Sequence, residues 1–169
     1  MDTTASATND PATGSVIVDR NIKFPVDVEL MVIGAGASGL TASLAACDHG
    51  IETVILERDD YPSGSTALSS GMIPACDTYA QRRAGVVDSP GQMGSDIQGK
   101  AQGQAPNDVV KAVCEASGPA IDWLRETHAV ELELVEGFLY PGHSVPRMHA
   151  PPSRTGAALM GSLLNARER

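Results

Sequence analysis

Aromatic residues are scarce: Phe, Trp and Tyr together make up 4% of the 169 residues, with one Trp. A core with so few rings must be mostly aliphatic and lined with alanine. Positive charge is also short. Twelve Lys and Arg stand against 21 Asp and Glu, a net charge of −9 with a pI near 4.7. That balance argues against nucleic acid or an anionic membrane surface as partner, since both call for a basic face. No stretch approaches the roughly 20 apolar residues of a membrane span, and Met1 to Asp10 has neither the basic nor the apolar region of a signal peptide. Cysteine is limited to Cys47, Cys76 and Cys114. An odd, widely spaced set speaks against a disulfide framework or a zinc knuckle and for buried free thiols. The length and the 42% hydrophobic content suffice for one well-filled domain but not two. A compact, soluble, cytoplasmic protein is the expectation.

The most informative stretch is Leu30-Met31-Val32-Ile33-Gly34-Ala35-Gly36-Ala37-Ser38-Gly39-Leu40. An apolar run over Val28 to Ile33 reads as a strand buried on both faces of a parallel sheet. Gly-x-Gly-x-x-Gly follows, then a helical pattern over Leu40 to His49 with Leu40, Leu44 and Cys47 in phase. Gly50 stops the helix in the left-handed region, and Glu52 to Glu57 forms a second strand. This is a βαβ unit of about 30 residues, the setting of a dinucleotide site. Gly34 makes the tight turn, Gly36 admits a pyrophosphate where a Cβ would collide, and Gly39 lets helix and strand pack closely. Ala37 and Ser38 complete the helix N-terminus, whose free N–H groups and dipole favour phosphate. Glu57 ends the second strand, where a carboxylate accepts the ribose hydroxyls and repels a 2′-phosphate; Arg58 follows it. These features identify a dinucleotide site without separating FAD from NAD.

The remainder is less regular. Residues 1–24 read as a polar arm, and residues 25–169 as one domain. Arg58 to Gly71 reads as a loop with a helical turn near Thr66–Ser70, and Met72 to Gly103 as irregular. Asn107 caps a helix over Asp108–Ala116, Ser117-Gly118-Pro119 breaks it, and Pro119 starts another reaching about His128. Val109, Val113, Ile121 and Leu124, with Trp123, are its expected buried side. Val130 to Val135 alternates as a half-buried strand. Phe138 to Pro152 is a loop, and Thr155 caps a last helix, Gly156 to Arg167, with Leu159, Leu163 and Leu164 inward. His143, Arg147, His149 and Arg154 form either an anion-binding edge or a solvated basic loop. His49 and His128 sit at helix C-termini. No spacing matches a metal site or a catalytic triad.

Asp27 to Gly71 resembles the FAD-binding start of the fumarate reductase/succinate dehydrogenase flavoprotein family, which includes soluble fumarate reductases and 3-ketosteroid Δ1-dehydrogenases. The residues that carry the resemblance are Asp-Val-Glu-Leu-Met-Val-Ile-Gly-Ala-Gly-Ala-Ser-Gly-Leu, Val-Ile-Leu-Glu-Arg and Tyr-Pro-Ser-Gly-Ser-Thr-Ala-Leu-Ser-Ser-Gly. It continues weakly through Asp88-Ser89-Pro90, Ile121-Asp122-Trp123-Leu124 and the region from His149 to Leu164. The fold it implies is α/β, a Rossmann-like FAD-binding domain with a glutathione-reductase-type βαβ start, here incomplete. By position, the resemblance places Gly64, Ser65, Thr66, Ser70 and Gly71 along the pyrophosphate and isoalloxazine ring. Ser63 and Met72 stand where the family usually has glycine. Ser65 stands where membrane-bound members carry a histidine joined to FAD, which implies FAD held non-covalently.

Members of this family are much longer, and the Arg and His residues that bind their substrates and deliver protons have no counterpart before Arg169. The expectation is therefore a truncated or split FAD-binding portion, lacking the substrate cap and its catalytic residues. A small-molecule substrate, a polycarboxylate or a ketosteroid, would be handled only with the missing regions or a complementing chain. Two other readings are a self-contained NAD-binding reductase and a non-catalytic remnant module.

Overall fold

The computed structural model describes residues 21–168. The expected arm lies outside the described residues for positions 1–20. Strand β1 (Leu30–Ile33) leads through helix α1 (Ala37–Asp48) to β2 (Thr53–Leu56). The two strands pair in parallel, Leu30 against Thr53 through Ile33 against Leu56. Gly50, at φ +72, ends the helix as expected. One face of the pair, carrying Val32 and Ile55, turns towards α1 and the core. The other carries Met31, Ile33 and Leu56, which are 53%, 81% and 48% exposed. The expectation of burial on both faces is therefore corrected: among the described residues this pair is covered on one side only.

Next come α2 (Ser65–Leu68), β3 (Ile73–Pro74), α3 (Tyr79–Arg83), α4 (Pro90–Lys100), α5 (Asn107–Glu126), β4 (Glu133–Leu134), β5 (Met148–Ala150) and α6 (Gly156–Glu168). β3, β5 and β4 form a small antiparallel sheet in that order. The region read as irregular after Met72 is thus mostly ordered. Thr78 and Gln81 form a reciprocal capping box on α3. Ser89 caps α4, with Pro90 at its first turn.

α5 is one helix across Pro119 rather than two. Proline removes one helical hydrogen bond and crowds the preceding turn, and this helix tolerates it. Gly118 explains the glycine beside it. A Cβ there would lie 2.2 Å from the Cys76 carbonyl, so the helix crosses the chain at a point only glycine allows. The buried stripe is Val110, Cys114, Gly118, Ile121 and Leu124, whereas Val109 and Val113 are exposed. The expected phase is one residue off before the glycine and correct after it. Asn107 is the first helical residue rather than the cap, and its side chain accepts from Gln98 Nε2 at 2.8 Å. Trp123 packs at the core margin and donates to Asp48 Oδ2 at 2.8 Å. His128 Nε2 meets the same oxygen at 3.1 Å.

The main core joins Leu40 and Leu44 of α1, Ile121 and Leu124 of α5, Val130 and Leu132 before β4, and Leu159, Met160 and Leu163 of α6. It is aliphatic, as the composition requires. Thr155 Oγ1 accepts the Ala158 N–H at 3.2 Å, capping α6 as expected, while Leu164 is only half-buried. Cys76 and Cys114 are buried, but Cys47 is exposed on the outer side of α1, which corrects the reading of all three thiols as buried. Among the described residues no helix is long and apolar enough to cross a membrane, and no cluster of His, Cys, Asp and Glu could hold a metal.

Candidate functional site

The turn out of β1 is set by Gly34, at φ +99, whose N–H donates to the Leu56 carbonyl at 2.7 Å. That bond carries the parallel pairing one residue past the strands and places the loop beside the end of β2. There Glu57 Oε2 accepts the Ala35 N–H at 2.8 Å, and Oε1 accepts the N–H groups of Arg58 at 2.8 Å and Asp59 at 3.1 Å. These bonds, the one from Ala35 foremost, hold the Glu57 carboxyl below the usual glutamate range. The exposed carboxylate is ionised beside the loop, the state a ribose hydroxyl needs. The Arg58 guanidinium pairs outward with Asp59.

The three glycines do different work. A Cβ on Gly39 would lie 2.0 Å from the Gly34 carbonyl oxygen and 3.1 Å from Val32 Cγ1, so close helix–strand packing requires glycine there. Gly36 is the opposite case. It caps α1 with φ −71 and ψ 176, angles any residue adopts, and a Cβ at this position would have no atom within 4 Å. The protein's own packing does not require glycine there, and the helix N-terminus has room for an incoming group. Gly64, the cap of α2, repeats the pattern with φ −62, ψ −163 and open space at its Cβ position. The residues present therefore fit a dinucleotide laid along both turns.

The two turns meet. Thr66 Oγ1 accepts the Ala37 N–H at 3.3 Å, tying the start of α1 to α2. Ser69 Oγ accepts the Gly71 N–H at 3.0 Å, and Gly71, buried at φ +66, would place a Cβ 2.5 Å from the Thr155 carbonyl oxygen. Gly156 fits still more closely against α2, with its Cβ position 1.9 Å from the Thr66 carbonyl oxygen. The start of α6 thus clamps the Ser/Gly block from behind. Ser38, Ser65 and Ser70 are exposed around this edge. Ser63 and Met72 both keep a negative φ, so the two departures from glycine need no left-handed backbone. Met72 packs towards Val135, Met148 and Ala150.

The basic loop is neither of the two things its residues indicated. Arg154 is exposed, but Arg147 and His149 are buried at 1% and 0% exposure. Arg147 makes a two-pronged pair with Asp88, through Nε at 2.9 Å and Nη2 at 2.8 Å, and reaches Asp96 through Nη1. Burial lowers the Arg147 pKa and the two carboxylates raise it, with a net upward shift. Asp96 lies below its usual range despite partial desolvation, because Ser144 and Arg147 donate to it. Gln81 Nε2 donates to Asp88 at 3.0 Å and to the Pro146 carbonyl at 2.9 Å. Sequence reasoning misses Thr78, Gln81 and Asp96. The capping-box spacing is the available signal for the first two, and nothing local signals Asp96.

Burial pushes the His149 pKa below an ordinary histidine, and the backbone at Arg147 and Ile73 opposes that only in part. The unfolded chain therefore takes up the proton first. Stability associated with neutral His149 is complete above the unfolded value of about 6.5 and is lost as pH falls through the folded one. His143, also shifted down by burial, acts in the same direction. The urea midpoint is expected to fall between pH 7.5 and pH 5, and to fall less in His149→Gln. A midpoint independent of pH over that range would contradict this.

Known proteins are similar to this chain in sequence and fold. Urocanate reductase of Eggerthella lenta is 32% identical over 137 residues, covering 81% of this chain and 22% of its own length. A fumarate reductase (cytochrome) of Shewanella frigidimarina is 29% identical over 135 residues, covering 80% of this chain and 23% of its own. Among solved structures, the open conformation of a flavocytochrome c3 fumarate reductase superposes with a TM-score of 0.74 at 26% identity, covering 83% of this chain and 25% of that one. The 3-ketosteroid-Δ4-(5α)-dehydrogenase of Rhodococcus jostii RHA1, solved with 4-androstene-3,17-dione, gives 0.73 at 25% identity, with 88% and 37% covered. The chain thus spans between about a fifth and two-fifths of the length of these proteins. The sequence profile that describes the FAD binding domain matches residues 29–167, and the chain belongs to that family.

Proposed function

We propose that the chain holds FAD non-covalently along a continuous wall made by Gly34, Gly36, Ala37, Ser38, Gly39, Glu57, Arg58, Gly64, Ser65, Thr66, Ser70 and Gly71. On this reading it is the FAD-binding portion of an oxidoreductase acting on C–C or C=C bonds. The observation that carries the proposal is the pair of unforced glycines, Gly36 and Gly64, facing open space on turns that Thr66 joins. Glu57 would take the adenosine ribose, the α1 N-terminus the pyrophosphate, and the Gly64–Gly71 block the flavin side. Bound flavin supplies hydride transfer at N5; the residues described here bind and orient it. Ser65 has a hydroxyl where membrane-bound members of the family it resembles carry the histidine joined to FAD, which supports the non-covalent mode.

Relatives named for urocanate, fumarate and ketosteroids support a small unsaturated or saturable substrate, a polycarboxylate or a ketosteroid. We take its contacts to come from polypeptide additional to the described residues, whether continuous with this chain or a complementing one. Arg147 and His149, buried in their own hydrogen bonds, do not serve that role. A nicotinamide site is less well supported, because the family match runs beyond the βαβ unit through both sheets and α6.

The test is a titration of the purified chain with FAD, read by flavin absorbance and fluorescence, followed by acid precipitation. Saturable spectral change and yellow supernatant are expected. Gly36→Val should leave the unfolding free energy in urea within about 1 kcal/mol of the parent, since its side chain has room, yet weaken FAD by tenfold or more, roughly 1.4 kcal/mol or greater. Free-flavin behaviour throughout the titration would sink the proposal, as would equal FAD binding by Gly36→Val.

A further inference from the structure

In β5, paired to the strand that follows the Gly64–Gly71 block, lies a buried histidine with a partner on each ring nitrogen. His149 Nδ1 meets the Arg147 carbonyl oxygen at 3.0 Å, and Nε2 meets Thr78 Oγ1 at 2.9 Å. A carbonyl only accepts, so Nδ1 carries a proton. In the neutral ring Nε2 then accepts, and the Thr78 hydroxyl donates to it. That hydroxyl keeps a lone pair for the Gln81 N–H, which reaches it at 3.1 Å. Each partner has one role, and the assignments are mutually consistent.

The chain of contacts leads in two directions. Gln81 joins it to Asp88, and so to the buried pairing of Arg147 with Asp88 and Asp96. On the other side His149 stands opposite Ile73 in the register of β5 against β3, and the Ala75 N–H donates to the Arg147 carbonyl at 2.9 Å. β3 begins directly after Gly71 and Met72. Other groups acting on the ring come from α5, where Asp122 favours its charged form and Arg125 opposes it. Thr78 at the cap of α3 and the backbones of β3 and β5 act on it as well.

We infer that neutral His149 is a positioning residue for the flavin half of the site, fastening β3 and the Gly71–Met72 turn to the buried Asp88–Arg147–Asp96 cluster. This rests on the FAD reading above. The adenosine half is built on a different sheet, β1 with β2, and does not depend on His149. The two halves of the cofactor should therefore respond differently when this histidine is disturbed.

The experiment uses the full chain, with FAD and ADP titrated separately into the parent, Thr78→Val and His149→Gln. Each variant is expected to raise the FAD dissociation constant about tenfold, the scale of one buried hydrogen bond, and to leave ADP within about twofold. In the ligand-free protein, amide exchange at Ala75 should speed up about tenfold while Gly34 is unchanged. The His149 ring nitrogen shifts at neutral pH should report the Nδ1–H tautomer. Equal weakening of FAD and ADP overturns the inference, because general loss of structure would then explain both. FAD binding at parental strength in both variants overturns it alone, as does an Nε2–H tautomer. A parent chain that binds ADP but not FAD overturns this inference and the FAD reading together.

Discussion

Arg147→Met is expected to lower the unfolding free energy by about 3–5 kcal/mol, the range for breaking one side of a buried ion pair. Both prongs of the guanidinium lie on Asp88, whose side chain is 0% exposed, and a third donor reaches Asp96. Methionine matches the stem and leaves the Asp88 charge in a dry site, where Gln81 Nε2 and the Ser89 N–H still donate to it. A typical domain has about 5–15 kcal/mol in all, so this variant should approach the limit of folding. In a chain of this size each kcal/mol corresponds to roughly 2–4 °C in Tm, so a drop of about 6–20 °C is anticipated. Adding Asp88→Leu to Arg147→Met should recover part of the loss, because the stranded charge is removed. The measurement is paired urea and thermal unfolding of the parent, single and double variants. A single variant within about 1 kcal/mol of the parent, on the scale of an exposed pair, would show that water reaches the cluster.

Gly39→Ala should cost several kcal/mol, at or above the upper end of the roughly 1–3 kcal/mol usual for overpacking, because the obstacle is main chain. Its Cβ would fall 2.0 Å from the carbonyl oxygen of Gly34, the residue whose N–H donates to the Leu56 carbonyl, so relief of the clash displaces the turn or α1. FAD binding should be lost with it, since the same displacement moves the α1 N-terminus. Gly36→Ala is the control three residues away: with no atom within 4 Å, and with the chain-entropy gain offset by alanine's weaker N-cap preference, it should change stability by less than about 1 kcal/mol. Unfolding midpoints of the two alanine variants, measured side by side, check the contrast. Similar midpoints would mean that the helix and strand are not packed as closely as described.

The βαβ unit is legible in the sequence because its signals are local and agree with one another. An apolar run, three glycines at fixed spacing, a helical phase and a closing Gly50 all lie within one segment, and the structure has the strand–helix–strand order with parallel pairing. The small antiparallel sheet is not legible. Its strands are two or three residues long, too short for any period to register, and β3 contains Pro74. α4 is hidden by Gly91, Gly94 and Gly99 inside it, although Ser89-Pro90 is a sound helix start. α5 reads as divided because Gly118-Pro119 is normally a breaker; only the Cys76 carbonyl, distant in sequence, shows why glycine is there. The burial of Arg147 is invisible for a related reason. Asp88 lies 59 residues away and Asp96 51, and charged residues in a Pro/Gly-rich loop look solvated until such partners arrive. Glu57 reaches the glycine turn through Ala35, as the βαβ spacing indicates, and Thr66 reaches it through Ala37, as the resemblance indicates, while the buried polar cluster around Arg147 is a product of tertiary structure.

The open side of the β1–β2 pair has a practical consequence for handling the protein. Among the described residues, Met31, Ile33 and Leu56 present exposed apolar area on a two-stranded surface, the kind of patch that drives colloidal instability. Concentrated samples should become turbid sooner in ammonium sulfate than the charge of −9 alone would lead one to expect, because sulfate strengthens apolar association while screening the repulsion that opposes it. Low salt and modest concentration favour a clear solution, and a nonionic detergent that masks this side should extend it.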